Sequence, residues 1–150
     1  MTTPARPQAA APRTSRTPAQ WYLLASGALV ALWGLAGFFV NRSFAVGTRA
    51  LRDPANHDTL CGVFVTNGWH DAVALAIGTV ALVLSGTPNA WMHAAGLGAG
   101  YLAVTVTLAA TEPFLLADNL TNNLVHLLLA LGGLGTAAVS RPRRAAAPAT

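Results

Sequence analysis

Charge is what this sequence has least of. Asp, Glu, Lys and Arg make up 9% of the 150 residues, against roughly 25% in ordinary soluble domains. Lysine is absent, and all nine basic residues are arginines. A single cysteine, Cys61, excludes an internal disulfide or a CxxC metal site, and its simplest reading is a small apolar side chain. GxSxG, P-loop, Rossmann and HExxH patterns are missing too, so hydrolase and nucleotide-dependent chemistry have no support. The net charge of +4 sits mainly in the tails, with no basic patch interleaved with aromatics, so nucleic acid is not an expected partner. No enzymatic activity is expected.

What the chain has instead is hydrophobicity, 53% by composition. The fold class this predicts is all-α: a polytopic membrane protein, a bundle of four transmembrane helices built as two related hairpins. Trp21 to Val40 is a 20-residue run without a charge, long enough to cross a core of about 30 Å. A cleaved signal peptide is the competing reading, but both the run and the region before it are too long for one. Further spans are expected at about 65–84, 91–110 and 120–139. Residues 1–20, with four prolines and three arginines, read as a disordered basic tail, and 141–150 as a second basic tail. The loop 41–59 is polar, the 85–90 turn is uncharged, and Glu112-Pro113 marks a turn after the third span.

Four spans place both tails on one side of the bilayer. That side carries six arginines and the other three, all in the 41–59 loop. The positive-inside rule then puts both termini in the cytoplasm of a bacterial inner membrane. Trp21, Trp69 and Trp91 fall near the expected interfaces, where amphipathic rings anchor helices.

Two polar elements interrupt the apolar pattern. Asn67-Gly-Trp-His70-Asp71 opens the second span, and Asn123-Leu-Val-His126 opens the fourth. An ionisable residue inside a span is costly and marks a candidate functional site. His70 lies 15 residues before Ser85 and His126 lies 15 before Arg141, which predicts both rings at one depth below the outer surface. Small residues continue each face: Ala74, Gly78, Ala81 and Ser85 in one span, Ala130, Gly133 and Ala137 in the other, with Gly96-xxx-Gly100 on the third. Such stripes let helices approach closely in lipid. They also suit association with a second copy or another membrane protein.

The plain structural reading of Asn67, His70, Asp71, Asn123 and His126 is interhelical hydrogen bonding that fixes register. A functional reading is a site for sensing, or for a small solute, ion or proton. The cofactor alternative is haem or a transition metal between His70 and His126, with Asp71, Asp118 or His57 as a further ligand. A small oligomeric transporter is another alternative. His93 stands too far along its span to join. Asp53, His57, Asp58 and Cys61 fit no known coordination spacing and read as a solvated loop.

The order of a basic tail, four spans, an Asn-x-x-His element opening the second and Ala117-Asp118-Asn119 through His126 opening the fourth resembles the bacterial membrane family called domain of unknown function 4383. The resemblance covers roughly 21–140 and implies a four-helix integral membrane protein with no assigned activity. The family's second span usually reads Asn-x-x-His-Asn-x-x-His. Here Asn67 and His70 match, Asp71 follows, and Ala74 stands where a second His is expected, which weakens a cofactor held by paired histidines.

Overall fold

The computed structural model describes residues 15–46, 58–110 and 119–142. Most of the 1–20 tail, the loop residues Asp53 and His57, the Glu112-Pro113 turn, Asp118 and the last eight residues lie outside that description. Among the described residues the chain forms four helices and one short strand pair: α1 (Pro18–Val40), β1 (Asp58–Leu60), β2 (Phe64–Thr66), α2 (Gly68–Leu84), α3 (Ala90–Ala110) and α4 (Leu120–Ser140).

α1 begins earlier than its apolar run. Pro18 takes the first helical position, where a missing N–H is harmless. Thr17 and Gln20 form a reciprocal capping box. Pro18 to Gln20 therefore belong to the helix and not to the tail.

α2 begins later than expected, at Gly68 instead of 65. Phe64 to Thr66 pair antiparallel with Asp58 to Leu60, and Asn67 then caps the helix, its side chain accepting from the His70 N–H at 2.9 Å. The hairpin turns through Cys61 and Gly62, both at positive φ (55° and 74°). Cys61 is exposed, so it is a turn residue and not a small apolar filler. Asp58, the first residue of β1, is exposed as well.

Consecutive helices pair. α1 packs along α2 and α3 along α4, while α2 and α3 barely touch. The small-residue faces make both seams. A Cβ on Gly78 would run into the Ala31 backbone, and one on Gly27 would meet Gly78 and Leu82 backbone atoms at 2.9 Å. In the other pair, Gly98 faces Ala130 and Leu134, and Gly133 faces Ala94 and Gly98. These faces thus meet each other inside one chain.

α1 holds the two pairs together. The Tyr22 hydroxyl donates to the Leu129 carbonyl at 2.7 Å. The Ala19 N–H donates to Ser140 Oγ at 3.0 Å, and Gln20 Nε2 to the Thr87 carbonyl at 3.2 Å. The start of α1, the α2–α3 turn and the end of α4 therefore share one end of the molecule. Arg16 lies over Trp21 and Arg141 over Trp91 at that end. The β-hairpin and the start of α4 share the opposite end.

Among the described residues two helices, α1 and α4, are long and apolar enough to cross a membrane; α2 is apolar but shorter, at 17 residues. Their outward faces are greasy. Leu32, Phe39, Val83, Leu128 and Val139 are all at least 65% exposed.

Candidate functional site

The polar residues collect where α2 and α4 begin, because each helix must satisfy its first free N–H groups. Asn67 does this for α2. For α4 the cap is Asn119, which accepts from the Asn122 N–H at 2.9 Å. Asn67 and Asn119 are therefore the structural counterparts, and the likeness of Asn67 to Asn123 holds in sequence only. His70 stands in the first turn of its helix and His126 one turn deeper in its own.

β2 links the two helix starts. Asn119 Nδ2 donates to the Val63 carbonyl at 2.8 Å, and Asn122 Nδ2 to the Val65 carbonyl at 2.7 Å. The Val65 carbonyl also lies against the His70 ring. A strand three residues long thus carries α4's polar end to α2's.

The two histidines meet. Their ring centroids are 6.2 Å apart with planes at 84°. Tyr101 of α3 stacks on His126 at 5.6 Å. On the far side, Trp33 of α1 meets Phe64 edge-on at 4.2 Å. Sequence reasoning missed Tyr101, Trp33, Asn119 and Asn122. The available signal for Tyr101 was its place beside Gly100, on the α3 stripe that begins at Gly96. For the two asparagines it was the cap spacing.

Asp71 goes elsewhere. It is fully buried against α1. A Cβ on Gly37 would collide with its carboxyl group, so only glycine leaves room for it there. Thr66 Oγ1 donates to Asp71 Oδ1. The first turn of α2 also places the carboxyl near the positive end of the helix dipole. Asn123 is only half-buried, although its Oδ1 is enclosed without a hydrogen bond. Neither residue borders the space between the histidines.

That space is a cavity of about 320 Å³ between the helix pairs, at the small end of ligand-sized pockets. Its polar end is His70, Tyr101, Asn122 and His126, and the rest is apolar, including Leu29, Val73, Ile77 and Val104. His70 Nδ1, His126 Nδ1 and Asn122 Oδ1 are enclosed and have no hydrogen-bond partner. Buried polar groups are normally satisfied, and leaving one unpaired costs about 1–3 kcal/mol. All three belong to residues that line the cavity, while the atoms themselves are enclosed by protein. The site offers two imidazole ligands to a metal; Asp71 is turned away, and Asp118 and His57 lie outside the described residues.

Gly96 and Gly100 are not a packing motif. A Cβ at either would meet nothing within 4 Å, and both border the cavity. The glycine of α3 that packs is Gly98. A second apolar hollow, of about 400 Å³, runs on between α2 and α3 towards His93 and shares Ile77, Gly96 and Leu97 with the first.

Comparison with known proteins gives one match. The family model described as domain of unknown function (DUF4383) matches residues 20–139. No curated protein and no solved structure matches the chain.

Proposed function

The chain belongs to the DUF4383 family, and with that as premise we propose that it is a four-span integral membrane protein that binds a small molecule in the histidine-ended cavity. Its role is non-enzymatic, in sensing or in holding a solute. The observation that carries this reading is the cavity itself, with His70, Tyr101, Asn122 and His126 at one end and apolar walls elsewhere.

The exposed Leu, Val and Phe side chains support the membrane setting, since water would penalise each of them by about 1.5–3 kcal/mol relative to burial. In a bilayer α2 and α3 complete a set of four spans. The two tails then lie together at the arginine-bearing end, which the positive-inside rule assigns to the cytoplasm. The β-hairpin and the cavity's polar end lie towards the outer surface. The similar pairing of α1 with α2 and α3 with α4 supports an origin in two related hairpins.

A second reading, a metal-binding redox protein, draws on one observation: both orphaned imidazole nitrogens belong to the same close pair. One experiment addresses both. Protein released gently from its membrane is weighed intact by native mass spectrometry and analysed for metal, beside His70→Ala and His126→Ala variants. Binding predicts a discrete organic mass on the wild type that both variants lose. Stoichiometric metal with the same dependence favours the redox reading. A bare wild-type chain removes both.

A further inference from the structure

The cavity's chemistry narrows its guest, and this step rests on the proposed binding function. Among the described lining residues there is no Asp, Glu, Lys or Arg. A charged head such as a phosphate or carboxylate would therefore enter without a counter-ion, at a desolvation cost that apolar walls cannot repay. A sugar or amino acid needs hydrogen bonds on all sides, and here they exist at one end only. The polar end suits a compact neutral group. His70, 9% exposed, and Asn122, 3% exposed, line this end. Tyr101 and His126 line the cavity on one side and Trp33 and Phe64 on the other, and aromatic walls favour a planar head over a branched one.

The other end is open in a way the fold does not require. Glycine in a helix interior costs about 1 kcal/mol relative to alanine. At Gly98 close packing explains it. At Gly96 and Gly100 no protein atom does, because a Cβ at either has open space. What their missing side chains preserve is open space: Gly100 borders the first hollow, and Gly96 stands with Ile77 and Leu97 where the two hollows meet. Since α2 and α3 barely touch, the two hollows form a continuous apolar cleft running along the helices. A short solute fills the upper hollow and leaves the lower one empty. A planar head with an apolar chain fills both.

We infer that the site takes a neutral lipophile of the prenylated-quinone class, its ring at the aromatic end with one carbonyl towards the histidine pair and its chain in the α2–α3 cleft. An imidazole N–H of the pair donates to that carbonyl oxygen, and the aromatic side chains lining the cavity pack on the ring. Such a guest enters sideways from the bilayer. The inference concerns binding alone and assigns no electron transfer.

Tryptophan fluorescence tests it, because Trp33 lines the cavity and quinones quench indole emission on contact. The detergent-solubilised full chain is titrated with a benzoquinone carrying one prenyl unit, and with dodecanol as a chain without a ring. The expected result is saturable quenching by the quinone that dodecanol competes poorly. His126→Ala weakens it about tenfold, the usual size of losing one good polar contact. Gly100→Leu, which puts a side chain into the histidine-ended cavity, weakens it at least as much while leaving the melting temperature unchanged or raised. Gly135→Ala, which alters a glycine with open space around it away from the cavity, changes nothing. If Gly100→Leu does not fold, Gly96→Ala and His126→Gln carry the same comparison.

Equal binding of dodecanol, indifferent to His126, overturns the quinone head but keeps the cavity as a binding site. Unsaturable quenching, unchanged in every variant, overturns the inference and the binding function together.

Discussion

Two interhelical contacts in this molecule use the same residue for opposite ends. Between α1 and α2, glycine is a packing device: Gly27 and Gly78 bring backbones together, and Gly37 makes room for the buried Asp71 carboxyl. Between α2 and α3, Gly96 and Gly100 touch nothing and border a cleft. The first contact is a closed seam, the second a kept space. A small residue on a membrane helix reports an absence of side chain, and only the partner helix decides whether backbone or void fills the place.

Substitutions at the two kinds of glycine should separate them sharply. Gly37→Leu has the largest expected effect. It drives a side chain into Asp71 and splits the seam, at ~3 kcal/mol or more, seen as failure to fold or a collapsed melting temperature in detergent. Asp71→Ala follows, at about 1–3 kcal/mol, because it strands the Thr66 hydroxyl and leaves a gap behind Gly37. Tyr22→Phe, which removes the bond to the Leu129 carbonyl, costs about 0.6–1.7 kcal/mol. The smallest effect has the opposite sign: Gly100→Ala raises stability by up to about 1 kcal/mol, since its methyl meets no protein atom. A loss of stability there would erase the distinction between seam and space.

The sole cysteine offers a check on orientation. Cys61 is exposed in the hairpin turn, and the proposed topology puts that turn outside. A membrane-impermeant maleimide should label it in intact cells. Labelling only after lysis would reverse the orientation.

Much of the helical layout was legible because it depends on run length and spacing. The charge-free run to Val40 and the uncharged turn before Ala90 follow from what lipid and helix geometry allow. The small-residue faces of α2 and α4 were readable for the same reason. The strand pair was not, since Leu60 to Leu84 carries no charge except Asp71 and three-residue strands leave no alternation to detect. The start of α4 at about 120 was legible, but its capping residue was not singled out, because Asn119, Asn122 and Asn123 stand together and any of them could close a helix start. Spacing from the histidine selected Asn123 for the repeated element, whereas the backbone selects Asn119 as the cap. Gly96 and Gly100 show the sharper limit: a GxxxG pattern identifies a face without saying what lies opposite it. The meeting of His70 with His126 depends on β2 and on Asn122, neither of which the repeated Asn-x-x-His pattern contains.

The most direct test of the central claim compares the cleft with the outer surface in the native membrane. A photo-crosslinking amino acid is placed at Val104, which lines the cavity, and separately at Leu128, 69% exposed on α4. After illumination the intact masses are measured. A binding cavity predicts one discrete adduct at position 104 and a spread of phospholipid adducts at position 128. The same phospholipid spread at both positions would contradict it, and the cleft would be ordinary lipid-facing surface.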